Sequence, residues 1–295
     1  MRMVNQFLRL SQRVVSKAGR DLSRMADLIP AKLPLTSEQK NLLNRNRIFR
    51  DKHKDKRCFV IANGPSLKTQ NIEPLAGDIT FCMSGFWHHE VVAKWQPTYY
   101  CFSDPAYFNG SDPMKEFFEN LGRRITDSTF FAPLRAREII ADQQLLSLDQ
   151  TYWVEFCGEL HDRYAGRRKI DLTADVPSPM SVSQLCIMAA IYMGCSPIYL
   201  LGLDHDWLAH RGEAGHFYQG HGGLEKHAEF KPHLSDWSYK FLMECQLKLW
   251  SGYETLGKIA ASKGIKILNA TNGGFLDVFE RADYERLHIN PVKLK

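Results

Sequence analysis

The sequence predicts an α/β protein with a doubly wound, mostly parallel Rossmann-like sheet, preceded by a basic amphipathic helix. Three observations carry that expectation. Short apolar runs alternate with longer amphipathic ones through residues 57–269, which is the strand–helix rhythm of a covered parallel sheet. The apolar run Cys58-Phe59-Val60-Ile61-Ala62 ends in Asn63-Gly64-Pro65-Ser66-Leu67, a strand that turns sharply into a helical start. The block 180–206 sets a helix that is apolar almost all round before an all-apolar strand. Such a pair belongs in the middle of a sheet covered on both faces.

Residues 3–28 come first and have helical periodicity. Val4, Phe7, Leu8, Val14, Val15, Ala18, Leu22 and Met25 share one face, and Arg2, Arg9, Arg13, Arg20 and Arg24 lie largely on the other. Residues 1–57 hold 15 Lys/Arg against 5 Asp/Glu, while the rest of the chain holds 23 against 28. The net charge of +5 therefore resides in the N-terminal part. A basic amphipathic helix over 1–28 can lie on an anionic membrane surface; equally, its apolar stripe can pack on the body or on another subunit of a homo-oligomer. The mildly acidic remainder argues against a nucleic-acid partner. Pro30 and Pro34 end the helix, and the charged run 50–57 reads as a solvated linker. The expected division is thus a helical extension and linker over 1–56 and a nucleotide- or nucleotide-sugar-binding catalytic domain over 57–295.

Within that domain the expected strands are 57–62, 79–83, 98–103, 128–132, 151–155, 197–202 and 265–269. The expected helices are 86–94, 113–122, 134–146, 180–193 and 235–263. Ser181 or Ser183 caps the fourth helix and Gly194 stops it. The composition, 44% hydrophobic and 24% charged, supports a sizeable core. The longest apolar run, 186–193, is far too short to span a bilayer. The first 30 residues lack the apolar stretch of a signal peptide. Seven cysteines without a C-x-x-C pair read as reduced core residues. Together these features point to a cytoplasmic protein, with peripheral attachment at the inner membrane surface if the basic helix binds lipid.

Ligands of doubly wound sheets sit beyond the carboxyl ends of the strands. Polar residues gather there: Asn63, Gly64, Pro65 and Ser66; then Ser84; then Ser103 and Asp104; then Asp204, His205 and Asp206. Gly64 allows close approach, and N–H groups behind Pro65 can hold a phosphate; the same four residues also make an ordinary turn. Six of the eleven histidines fall within 29 residues, at 205, 210, 216, 221, 227 and 233. Asp204-His205-Asp206 has the Asp-x-Asp form with which carboxylates hold Mg²⁺ or Mn²⁺ on a diphosphate. The turn 269–274 is polar and glycine-rich, and either faces the site or is a plain surface turn.

The Asn-Gly-Pro-Ser-Leu turn, and the Ser-led helix followed by a strand ending Gly202-Leu203-Asp204, resemble blocks of the family 42 bacterial sialyltransferases. They equally resemble the proteins similar to archaeal 6-hydroxymethylpterin diphosphokinase (MptE-like). The resemblance does not cover 1–56. Gly215-His216-Phe217-Tyr218-Gln219-Gly220-His221 adds a Tyr-x-Gly-His like that of the sialyltransferases. The resemblance implies that Tyr218 contacts the donor phosphate and that His221 is the base, with His216 the runner-up. It implies Asn63, Gly64, Pro65, Ser66, Ser84, Asp104, Ser181, Ser183 and Asp204 around a nucleotide-sugar donor, a glycan acceptor, and no required metal. The chain departs from the family at Ser84 and Asp104, where the family has asparagines, and at Asp206 and Trp207, near where it has tyrosines. The diphosphokinase alternative implies ATP and Mg²⁺. A non-catalytic membrane-associated scaffold is the reading from outside the enzymes.

Overall fold

Eight strands form a single parallel sheet in the order β6-β5-β4-β3-β2-β1-β7-β8. They are β1 Cys58–Ile61, β2 Ile79–Met83, β3 Tyr99–Cys101, β4 Thr129–Pro133, β5 Thr151–Glu159, β6 Asp175–Ser178, β7 Ile198–Leu201 and β8 Ile267–Asn269. The structure is a computed structural model and describes residues 34–160, 169–210, 216–218 and 237–288. The expected helix over 3–28 lies outside the described residues, as do His221, His227 and His233.

The α-helices are α1 Ser37–Asn44, α2 Asp112–Arg124, α3 Arg137–Asp142, α4 Val182–Tyr192 and α5 Tyr239–Ser262. α4 lies across β1, β2 and β3 and also packs on α5. Every residue from Ser183 to Tyr192 is buried, which is why this helix is apolar all round. The chain walks outward from β1 to β6, then returns through α4 to β7 on the other flank of β1. β1 pairs with β7 from Cys58↔Ile198 to Ile61↔Leu201. The strand order reverses at this junction, where such sheets bind their ligands.

Several elements differ from expectation. Residues 86–94 form two 3-10 turns, Ser84–His88 and Glu90–Ala93, separated by an extended His89. The aromatic run Phe86-Trp87-His88-His89 and the β-branched pair Val91-Val92 are poor helix formers. The start after Gly64 is a single 3-10 turn, Pro65–Thr69. Residues 134–146 shrink to a 3-10 turn and α3, and Gln144 just beyond has a left-handed φ of 53°. α5 begins at Ser238, whose side chain accepts from the Phe241 N–H, rather than at Ser235. β6 has no counterpart in the expected set. Its sequence, Asp-Val-Pro-Ser, forms an edge strand, where proline is tolerated.

Residues 37–57 are part of the packed body. Leu43 and Phe49 are buried, and Phe49 meets Tyr99, Phe131 and Tyr152 edge-on at 5.9, 5.2 and 4.5 Å between ring centroids. Buried Asn46 donates to the carbonyls of Trp153 and Leu172, both at 2.7 Å. The charged run 50–57 keeps most of its side chains in solvent, as expected, but its backbone is docked on the body. The N–H groups of Asp51, His53 and Asp55 donate to the carbonyls of Tyr192, Met193 and Gly194. They thereby satisfy carbonyls that the end of α4 would otherwise leave bare. All seven cysteines are free thiols; burial pushes those of Cys58, Cys82 and Cys186 up, which keeps them unreactive.

Candidate functional site

A cleft of about 980 Å³ opens at the carboxyl ends of the central strands. It gathers Asn63, Gly64, Pro65, Ser84, Asp104, Ser181, Ser183, Asp204, Asp206, His216 and Tyr218, all expected from sequence. Ser66 sits directly behind, on Asp204.

The two loops flanking β1 are locked together. Gly64 N donates to Gly202 O at 2.9 Å. A Cβ on Gly64 would lie 1.7 Å from Asp204 Oδ2 and 2.5 Å from Gly202 O, so only glycine fits. Asp204 turns its carboxylate on the 65–69 turn. Ser66 N donates to Oδ1 at 3.1 Å and Ser66 Oγ to Oδ2 at 2.8 Å. The anion at this turn is therefore the protein's own side chain, and a ligand phosphate has no place on the Ser66 N–H. The turn 269–274 supports Asp204 from behind and does not line the cleft. Phe275 N donates to Asp204 O at 2.7 Å, and Arg281 holds the carbonyls of Thr271, Gly273 and Gly274.

Burial raises the Asp204 carboxyl above the ordinary range, against the lowering effect of the Ser66 hydrogen bonds. A group shifted this way contributes stability below its unfolded pKa and loses it as pH rises through the folded one. Burial disfavours the charged form, and the Ser66 hydrogen bonds offset that cost. Asp204→Asn keeps one acceptor and one donor for Ser66 and is expected to change stability by less than about 1 kcal/mol. Asp204→Ala leaves both Ser66 groups bare and is expected to cost roughly 2–3 kcal/mol. Thermal melting of the two variants checks this; equal losses would show that the Ser66 bonds are not what Asp204 supplies.

Asp204 and Asp206 do not fit a divalent cation as arranged. Asp204 commits both oxygens to Ser66, and Asp206 lies 3.6 Å from His210 Nε2. Among the described residues no cluster of three metal-ligating side chains exists.

Asn63 is poised differently. Its Nδ2 donates to Met83 O at 3.2 Å, which fixes the amide orientation and leaves Oδ1 on the other side. That oxygen is buried and has no donor, on a residue only 6% exposed that lines the cleft. Ser84 holds a left-handed φ of 48°, and its carbonyl accepts from the buried Tyr100 hydroxyl at 2.6 Å. Asp104 is exposed and caps its own turn by accepting from Ala106 N at 2.8 Å.

The segment 216–218 closes one wall. Phe217 N donates to Asn63 O at 2.8 Å. The Tyr218 ring stacks between His88 and His216, at 4.8 and 5.1 Å between centroids. Its hydroxyl packs where a Gly85 side chain would be.

Three participants, Lys68, Arg135 and Tyr253, have no clear signal in the sequence, while His205 was expected at its strand end. Lys68 and Arg135 are exposed cations that line the cleft. Lys68 follows the first turn, and Arg135 follows β4, so its position past a strand end was the available clue. Tyr253, in the middle of α5, is fully buried; its hydroxyl meets Ser183 Oγ at 2.6 Å and His205 Nε2 at 2.7 Å. His205 lines the cleft, and burial pushes its ring down to about 4, so it is neutral at physiological pH.

A scan against protein-family models gives no match, and no curated protein matches the chain. Among solved structures it is similar to the sialyltransferase CstII from Campylobacter jejuni in complex with the substrate analogue CMP-3FNeuAc. That likeness has a TM-score of 0.49 and 16% identity, covering 80% of this chain and 89% of that one. A variant of that sialyltransferase in complex with CMP gives 0.46 and 15%, over 77% and 85%. The same enzyme with a trisaccharide acceptor and CMP gives 0.44 and 14%, over 76% and 85%.

Proposed function

We propose that this chain is a glycosyltransferase-like enzyme that takes a nucleotide-activated sugar, of the CMP-sialic-acid type, and passes the sugar to an acceptor in cell-surface glycan assembly. The observation that carries this reading is the buried Asn63 Oδ1 without a donor, at the point of the sheet where the strand order reverses. Leaving such an oxygen bare costs roughly 1–3 kcal/mol, and a ribose hydroxyl or a base amino group repays that cost. The cleft volume suits a nucleotide sugar. Asp204 already occupies the Ser66 N–H and hydroxyl, so in this reading the phosphate is met by Lys68, Arg135 and the Ser181 hydroxyl, which line the cleft.

In this reading the acceptor hydroxyl attacks the anomeric carbon as the sugar–phosphate bond breaks. The phosphate leaves with the bonding electron pair. His221, assigned through the resemblance alone, takes the acceptor proton, and the rim cations hold the departing charge.

The reading is tested by the melting temperature with CMP-, UDP- and GDP-sugars and with ATP, each with and without Mg²⁺. A rise with the CMP-sugar alone is the expected result. A rise with ATP and Mg²⁺ alone would replace it with the diphosphokinase alternative, and no rise at all would leave the scaffold reading.

Residues 1–28 are proposed to hold the enzyme at the cytoplasmic face of an anionic membrane. Among the described residues no helix is long and apolar enough to cross one. Deleting 1–28 is expected to abolish sedimentation with anionic vesicles and to leave turnover on a soluble acceptor unchanged. An unfolded body or a split oligomer would show instead that the segment is structural.

A further inference from the structure

Four side chains from three distant parts of the chain form one continuous row of hydrogen bonds along the cleft wall. Ser181 Oγ lies 2.7 Å from Ser183 Oγ, Ser183 Oγ lies 2.6 Å from Tyr253 Oη, and Tyr253 Oη lies 2.7 Å from His205 Nε2. The two middle members are sealed from solvent, Ser183 at 1% and Tyr253 at 0% exposure. The outer members, Ser181 and His205, line the cleft.

Each hydroxyl carries one proton, and the neutral imidazole carries one on either of its nitrogens. Every bond in the row needs one donor and one acceptor. A hydroxyl that accepted from both neighbours would need a third partner for its own proton, and the sealed Ser183 and Tyr253 hydroxyls have none among the described residues, so the protons all run one way. Only two arrangements satisfy the row. With the proton on Nδ1, His205 Nε2 accepts from Tyr253, Tyr253 from Ser183 and Ser183 from Ser181, so Ser181 turns a lone pair to the cleft. With the proton on Nε2, every bond runs the other way and Ser181 turns its O–H to the cleft.

The backbone supports a purpose for His205 at this place. Its φ of 49° is left-handed, an uncommon conformation for a residue with a Cβ. Gln246 Nε2 clamps its carbonyl at 2.8 Å, and the Trp250 ring stands 5.9 Å away edge-on. Asn63, whose buried Oδ1 has no donor, lines the same cleft.

We propose that Tyr253 and His205 are positioning residues that present the Ser181 hydroxyl as a hydrogen-bond donor to an oxyanion in the cleft, the His205 tautomer setting the direction of the row. Binding of the oxyanion selects the Nε2–H form. The proposal depends on the nucleotide-sugar reading only for one of its probes.

The test combines calorimetry with ¹⁵N NMR. Binding of CMP, cytidine and inorganic phosphate is measured for the parent protein, Ser181→Ala, Tyr253→Phe and the double variant. A hydrogen bond to a charged group implies a loss of roughly 10-fold or more for CMP and phosphate. The loss is expected to be similar in the two single variants and no larger in the double one, with cytidine affinity unchanged. In the parent protein, the His205 Nε2 signal is expected to be that of a protonated nitrogen in the CMP or phosphate complex. The NMR reading needs no variant, so it decides even if Tyr253→Phe fails to fold. A bare Nε2 in the complex, additive losses, or a Tyr253→Phe protein that binds CMP like the parent would each overturn the proposal. Phosphate binding with this pattern but no CMP binding would sink the nucleotide reading and leave the row intact. No binding of either probe by the parent would overturn both.

Discussion

His221→Ala is expected to lower kcat by roughly 100- to 10,000-fold, the range a positioned general base contributes. Nucleotide affinity should stay within a factor of two or so, on the order of a neutral change, because the proton comes from the acceptor and not from the donor. Turnover of the parent should also fall at acid pH as an imidazole protonates, and that limb should vanish in the variant. His216→Ala is the control. His216 is exposed and stacks on Tyr218 at 5.1 Å, so its loss should weaken the wall without removing a proton acceptor. Steady-state kinetics on both variants decides the assignment. A damaged His216→Ala with an intact His221→Ala would move the base to His216. If neither variant is damaged, the base lies elsewhere in the cleft, and Asp104 is the next exposed group to test.

The second large effect is on stability. Gly64→Ala is expected to cost roughly 3 kcal/mol or more, because overpacking against fixed backbone is among the few routes to losses of that size. Its own backbone, φ −62° and ψ 155°, suits alanine well. The obstacle is space: Gly202 O at 2.5 Å is backbone, and the Asp204 side chain at 1.7 Å is pinned by Ser66. Gly77→Ala is the opposite case. It has a left-handed φ of 88° and nothing within 4 Å, so only the conformational cost of about 1–2 kcal/mol applies. Melting curves should place Gly64→Ala well below Gly77→Ala. Equal melting temperatures would mean that the loops after β1 and β7 are not held as tightly as their hydrogen bonds imply.

The sheet was legible because its strands are short apolar runs, and burial on both faces requires such runs. The central helix was legible for the same reason. α1 and the docked run 50–57 were not. α1 buries one leucine in a polar sequence, and the run works through backbone N–H groups that any sequence carries. β6 was hidden by its proline. Most of the cleft could be read by position, since strand ends are where turns with polar residues collect. Tyr253 could not. It sits on the inner face of a long helix, 70 residues from Ser183, and looks like any buried aromatic until the fold brings the hydroxyls together. Asp204 and Ser66 were both found, but not that they bind each other. As one half of an Asp-x-Asp it reads as a metal ligand, whereas the fold spends its oxygens on Ser66. Lys68 carries no pattern at all and Arg135 only its place past the end of β4, so the geometry of the cleft is what separates them from other surface cations.

The central claim is that a nucleotide fills this cleft and gives Asn63 Oδ1 its missing donor. Calorimetric titration of CMP into the parent protein and into Asn63→Ala tests it most directly. The account predicts that CMP binds the parent and that the variant binds it roughly 10-fold more weakly, the effect of losing one buried hydrogen bond. The unliganded variant should melt no more than a few degrees lower, since the amide gives up only its bond to Met83 O. Equal CMP affinity in the two proteins, or no binding by the parent, would contradict it.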